Sequence, residues 1–138
     1  MIELLIVVAI IGIIAAIAIP NLMQALNVAK QKRSFSDLRT ITLALSVYRI
    51  DHSRYPLLGD TDTSKLAPFL GDLPEWDGWN TRFAYLCGGN GSEYTVASYG
   101  SNRKADKPYV MGPITRHKDD IVFIGGHLLQ WPEGTQAE

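Results

Sequence analysis

A chain of 138 residues, 46% hydrophobic and 20% charged, has room for one domain with a modest core. Its formal net charge of −1 argues against a nucleic-acid binder, which carries a strong basic excess. With Cys87 the only cysteine, no internal disulfide can staple the fold, so an exported domain of this size must rely on its core, its neighbours or a metal.

The charges are unevenly placed. From Leu4 to Ile19 there is no charged or polar side chain, and almost all charges follow Pro20. The run LLIVVAIIGIIAAIAI measures roughly 24 Å as a helix. Extended through Met23 it is long enough to span a hydrocarbon core of about 30 Å, where a helix pairs every backbone group internally. Three readings compete for this segment. A secretory signal peptide would use Ala16-Ile17-Ala18 as its cleavage site, but Glu3 stands where such a peptide carries Lys or Arg. A plain membrane anchor explains the apolarity but not Glu3, because an acid at the lip of an apolar run costs energy unless paired. In the third reading Glu3 has a function of its own.

From Asn21 the pattern turns amphipathic. Leu22, Leu26, Ala29, Phe35, Leu38, Ile41, Leu45 and Tyr48 recur mostly at spacings of three and four, which is one face of a helix. Asp51-His52-Ser53 breaks the pattern and Pro56 forbids its continuation, so the helix should stop near Ile50. Such a rod measures roughly 70 Å. No globule of this size can bury it, so half must protrude into lipid or into other subunits.

Beyond the helix, Leu57 to Thr81 reads as an irregular connection, with Leu66, Phe69, Leu70, Trp76 and Trp79 capping the helix and the sheet edge. Phe83 to Leu86 and Tyr94 to Ser98 form a hairpin around Gly88-Gly89-Asn90-Gly91, whose residues tolerate positive φ. No Gly-Lys-Ser/Thr follows, so the turn is not a phosphate loop. A polar loop from Gly100 to Lys118 leads to a second hairpin, Ile121 to Ile124 and His127 to Trp131, and the tail after Pro132 should be loose. The expected fold is α+β: a long N-terminal helix on a small antiparallel sheet of about four strands. Its parts are an apolar half-helix (1–23), an amphipathic half-helix (24–56) and a loop-rich β head (57–138). His52, His117 and His127 lack zinc spacing, and no nucleophile–base pair or cofactor fingerprint is present, so the chain is not expected to be an enzyme.

The stretch IELLIVVAIIGIIAAIAIPNL, Ile2 to Leu22, resembles the N-terminus shared by type IV pilins and type II secretion pseudopilins. The head resembles the major, G-type pseudopilins. Tyr48 to Pro56 is similar to their Y-x-x-D-x-G-x-Y-P with Ser53 in place of glycine, Asp77 to Thr81 to their D-x-W-G-x-P, and Ser98 to Asn102 to their S-x-G-x-D. The resemblance implies the type IV pilin fold. It also implies that Glu3 pairs with a neighbouring subunit's N-terminal amine, and that Gly12 and Pro20 are weak points between which the helix unwinds in filaments. Glycine costs a helix about 1 kcal/mol and proline ~3 kcal/mol. Family precursors carry a basic leader ending in glycine, cleaved before a phenylalanine that becomes N-methylated. The resemblance sets Met1 just inside that mature start. Lys30, Lys32, Arg33 and Arg39 alone would draw the head to the cytoplasm by the positive-inside rule; a basic leader reverses this and puts the head in the periplasm.

The implied function is that of a structural subunit, held in the bacterial inner membrane and assembled into a helical homo-oligomer, a pseudopilus or a type IV pilus. The implied partners are a prepilin peptidase, an inner-membrane platform and its ATPase. A minor tip subunit that binds a surface or a secreted substrate is the alternative, and a membrane-anchored enzyme a third. G-type pseudopilins bind calcium in the loop before their last strands, which makes Asp106, Asp119 and Asp120 the expected Ca2+ ligands. Asn102 stands where the family places an aspartate, and Arg116, His117 and Lys118 could instead neutralise these acids without metal.

Overall fold

A computed structural model describes residues 1–135 of the chain; the last part of the tail expected to be loose lies outside the described residues. One helix, α1 (Ile2–His52), runs through Gly12 and Pro20 without interruption, about 76 Å from end to end. It ends two residues later than expected, at Ser53, which adopts the left-handed conformation (φ 57°) while its N–H donates to Arg49 O at 2.8 Å. Glycine is the usual occupant of that position, since a Cβ there costs energy. Ser53→Gly is therefore expected to stabilise the head by about 0.5–1 kcal/mol, read as a rise in Tm of a few degrees.

The head is a six-stranded sheet rather than the expected four. Its strands are β1 (Asp60–Asp62), β2 (Ala84–Cys87), β3 (Tyr94–Ser98), β4 (Gly112–Ile114), β5 (Ile121–Ile124) and β6 (His127–Pro132), in the order β1-β2-β3-β5-β6-β4. The two expected hairpins are present, β2–β3 and β5–β6. The additional strands are three-residue edges recruited from segments read as loops: β1 pairs antiparallel with β2, and β4 runs parallel to β6. Neither is long enough to show a periodicity of two, and each exists because a neighbouring strand offers unpaired backbone groups. A short 3-10 turn (Thr63–Leu66) and a one-turn helix, α2 (Ala67–Leu70), interrupt the connection that was read as irregular.

The core forms where α1 crosses the sheet. Phe35, Leu38, Ile41 and Leu45, at helical spacing, pack on Tyr85, Tyr94, Val96, Ile121 and Phe123. Alternate residues of β2 and β3 face inward because successive strand side chains point to opposite faces. Leu22 and Leu26, which share the helical periodicity, are exposed below the head. Of the expected capping residues, Leu66 and Trp79 are buried, while Phe69 and Trp76 remain partly open to solvent.

The turn Asp77–Thr81 fastens the head to the helix. Asp77 Oδ1 accepts the N–H groups of Trp79 (2.9 Å) and Thr81 (2.8 Å), and Oδ2 accepts the Ser98 hydroxyl (2.9 Å). Gly78 donates its N–H to Ser34 Oγ at 2.8 Å. A Cβ at Gly78 would stand 2.5 Å from Lys30 O, so only glycine lets the turn approach the helix backbone this closely.

Candidate functional site

The apolar half of α1 is the largest feature left unsatisfied by the fold. Every large apolar side chain from Ile2 to Leu26 is at least half exposed, and the helix is long and apolar enough to cross a membrane. At its tip the Met1 amine donates to Glu3 Oε2 at 3.0 Å, with both groups exposed. An exposed pair of this kind is worth little in water. Gly12 stands in open space, with nothing within 4 Å of a built Cβ. Pro20 lacks the N–H that would reach the Ala16 carbonyl.

The second feature is the loop between β3 and β5. Gly100 (φ +60°) lies so close beneath the chain that a Cβ would sit 2.8 Å from His117 O and 2.9 Å from Asp119 O. This clamps the two limbs of the loop together, helped by Ser101 N–H donating to His117 O at 2.9 Å. Asp120 is buried, and its Oδ2 accepts the Asp106 N–H at 2.9 Å. Asn102 Nδ2 donates to Asp106 Oδ2 at 2.9 Å, so the asparagine orders the acid beside it. Burial pushes the Asp120 carboxyl up to about 6, partly offset by the Asp106 N–H and reinforced by the charges of Asp106 and Asp119.

Gln130 Oε1 is buried at this loop without a partner, and Asp120 Oδ1 has none in hydrogen-bond geometry, although the Tyr109 hydroxyl lies near enough to Asp120 to oppose the rise in its pKa. Asp120 and Gln130 line a cavity of about 350 Å³ together with Asp106, Asp119 and Thr115. No group of three or more His, Cys, Asp or Glu side chains is gathered for a metal among the described residues. The available donors are instead a mixture of carboxylate and amide oxygens, a set that suits calcium rather than zinc or a soft metal. Gln130 was not legible as a donor, because it reaches the loop only through the pairing of β6 with β4 and β5. Arg116 and Lys118 form no ion pair with the three acids among the described residues.

His52 stacks on Tyr48, ring centroids 4.0 Å apart, and His117 lies 3.4 Å from Gln31 Oε1. His127 is exposed at the β5–β6 turn and Cys87 is buried in β2.

A bare apolar half-helix continuous with a half-helix seated on a small sheet defines a pilin-like subunit. The chain belongs to the type II secretion system protein G family: the family model described as Type II secretion system (T2SS), protein G matches residues 21–115. It is 30% identical over 128 residues to the type II secretion system core protein G of Klebsiella pneumoniae, covering 88% of this chain and 89% of that protein. The core protein G of Pseudomonas aeruginosa is 30% identical over 118 residues, 75% of this chain and 82% of that protein. That of Dickeya chrysanthemi is 27% identical over 120 residues, 77% and 78% of the two chains. No solved structure matches the chain.

Proposed function

We propose that this chain is the major structural subunit of a type II secretion pseudopilus, stored in the inner membrane by the apolar half of α1 with its head in the periplasm. The observation that carries this reading is the exposure of the whole apolar half-helix. Leaving so much apolar surface in water is costly, at about 25 cal/mol per Å². Lipid covers it before assembly, and the same halves of neighbouring subunits cover it afterwards. A heterologous contact of this kind, repeated without closing, generates a helical filament. In that bundle Glu3 accepts the amine of a neighbouring subunit and sets the axial register. Gly12 and Pro20 mark the stretch where the helix yields during extraction from lipid. A prepilin peptidase, a platform protein and an ATPase are the partners this role requires.

Mass spectrometry and electron microscopy of filaments sheared from the native cell test the assignment. The chain should dominate the filament by copy number. Filaments in which it is absent or confined to a tip would overturn the assignment and favour the binding-module alternative.

The β3–β5 loop is proposed as a calcium site, held by Asp120, Asp119 and Asp106 with Gln130 as an added oxygen donor. The support is that Asp120 and Gln130, each with a buried side-chain oxygen, line one cavity with Asp106 and Asp119. Bound calcium would supply positive charge to a buried acid and tie the loop to β6. Calcium in roughly hundredfold excess over its dissociation constant is expected to raise the Tm by on the order of 10 °C at neutral pH. Asp120→Asn should abolish that rise.

The pH dependence without calcium has a definite sign. Asp120 has an ordinary value of 3.8 and a folded value of about 6, so the folded head binds more protons between them. Its contribution to stability therefore falls as pH rises through that window and stays low above it. Asp120→Asn, which removes the buried charge, should match or exceed the parent in Tm at neutral pH without calcium. A parent protein unmoved by calcium would sink the site.

A further inference from the structure

We infer that the underside of the head carries a basic collar that docks on an anionic phospholipid surface while the subunit waits in the membrane. The inference rests on the membrane-anchored reading above.

Two chain-distant segments build the collar. Lys30 and Lys32 project from α1 just beyond the apolar half, and Arg116 and Lys118 come from the loop before β5; all four are exposed. Gln31 joins the segments, its Nε2 donating to Arg116 O at 3.5 Å and its Oε1 lying 3.4 Å from His117 Nδ1. Thr115 and His117 share a cleft of about 230 Å³ with Gln24, Val28 and Lys32. The loop therefore hangs down the helix to the level at which the chain leaves the apolar half.

That level is the one a lipid headgroup occupies. Lys30 and Lys32 follow Met23 by about 10–14 Å along the helix. Headgroup regions extend several ångströms beyond each face of the hydrocarbon core, so the ends of these side chains meet phosphates within a Debye length. None of the four cations is used in an ion pair among the described residues; Arg33, in contrast, is paired with Asp37 at 3.6 Å. Opposing acids close by in the fold are Glu133, which lines the same cleft, and Asp119, which lines the cavity with Asp106 and Asp120. A solvated charge run needs no such convergence. Here a loop more than eighty residues away in sequence is held against the helix at the membrane exit, with its bases left free. Clustered juxtamembrane Lys and Arg recognise anionic lipid by charge alone. Docking would hold the head upright and present every subunit to the assembly machinery at one height.

The test uses the full chain with Thr115→Cys carrying an environment-sensitive fluorophore; Cys87 is buried and leaves the new thiol to take the label. The protein is reconstituted into vesicles of phosphatidylcholine alone, or of phosphatidylcholine with phosphatidylglycerol, each doped with a zwitterionic lipid bearing a nitroxide on its headgroup. Phosphatidylglycerol should shift the docked-to-free ratio on the order of tenfold or more, read as deeper quenching. High salt should reverse it, as should the combined change Lys32→Glu, Arg116→Glu and Lys118→Glu. The salt arm needs no charge-reversal variant and stands even if that one misfolds. Quenching that is equal in both lipids overturns the collar. Quenching that follows protein density rather than phosphatidylglycerol also overturns it, in favour of a second copy as partner. Flotation separates these failures from that of the anchor: chain extracted from the vesicles at high salt would overturn the membrane reading itself, and the collar with it.

Discussion

Asp77→Ala is expected to unfold the head at physiological temperature while leaving the apolar half-helix able to insert in lipid. Asp77 is buried, and its carboxylate accepts three hydrogen bonds, from the N–H groups of Trp79 and Thr81 and from the Ser98 hydroxyl. Alanine would leave those donors without a partner, each at a cost of about 1–3 kcal/mol. The combined loss of roughly 3–5 kcal/mol is a large part of the 5–15 kcal/mol typical of a whole domain. The turn would also release Gly78 from Ser34 and so loosen the sheet from α1. Gly78→Ala should act by a different route, through a Cβ driven to 2.5 Å from Lys30 O. Asp77→Asn keeps one oxygen for the two N–H groups, and the Ser98 hydroxyl can turn to accept from the new amide, so its cost should be the smallest of the three. Urea unfolding followed by circular dichroism ranks them. Asp77→Ala with a midpoint equal to the parent would refute the account of the turn.

Glu3→Ala is expected to reduce assembled filament by on the order of a hundredfold or more, with the head folded as in the parent. In the separate subunit Glu3 is exposed, so its removal changes little there. In a bundle of apolar helices water is excluded, and an amine deprived of its carboxylate is a buried unpaired charge. Breaking such a pair costs about 3–5 kcal/mol, which is a factor of roughly 10²–10³ or more in an equilibrium constant. Glu3→Gln should fail as well, since the amide keeps the shape but not the charge. The measurement is an immunoblot of sheared filaments beside limited proteolysis of the membrane-held pool. Normal filament yield with an intact head would remove Glu3 from the assembly mechanism.

Different parts of the molecule were legible to different degrees. Leu38, Ile41 and Leu45 declared themselves by spacing alone, since a helix face repeats often enough to be seen over several turns. The hairpins β2–β3 and β5–β6 were visible for the same reason, with glycines marking their turns. β1 and β4, at three residues each, carry no readable period. The parallel pairing of β4 with β6 depends on where the β3–β5 loop comes to rest. The acids of the candidate calcium loop could be named from the chain, but Gln130 could not. Arg116 and Lys118 looked like counter-charges to those acids, because proximity in sequence was all that was available. In the fold the Arg116 backbone is held against Gln31 of the helix, which the proposed collar builds on.

The helix returns to the same division. Its length, its apolar first half and the acid at its tip follow from the sequence by itself, because hydropathy and periodicity are local properties that need no partner to be read. Where the head grips it, which loop rests against it below that grip and which buried oxygens are left unsatisfied were decided only by the tertiary structure. Those outcomes depend on residues far apart in the chain, such as Gln31 with Arg116 and Asp120 with Gln130. Only packing brings such residues within reach of one another.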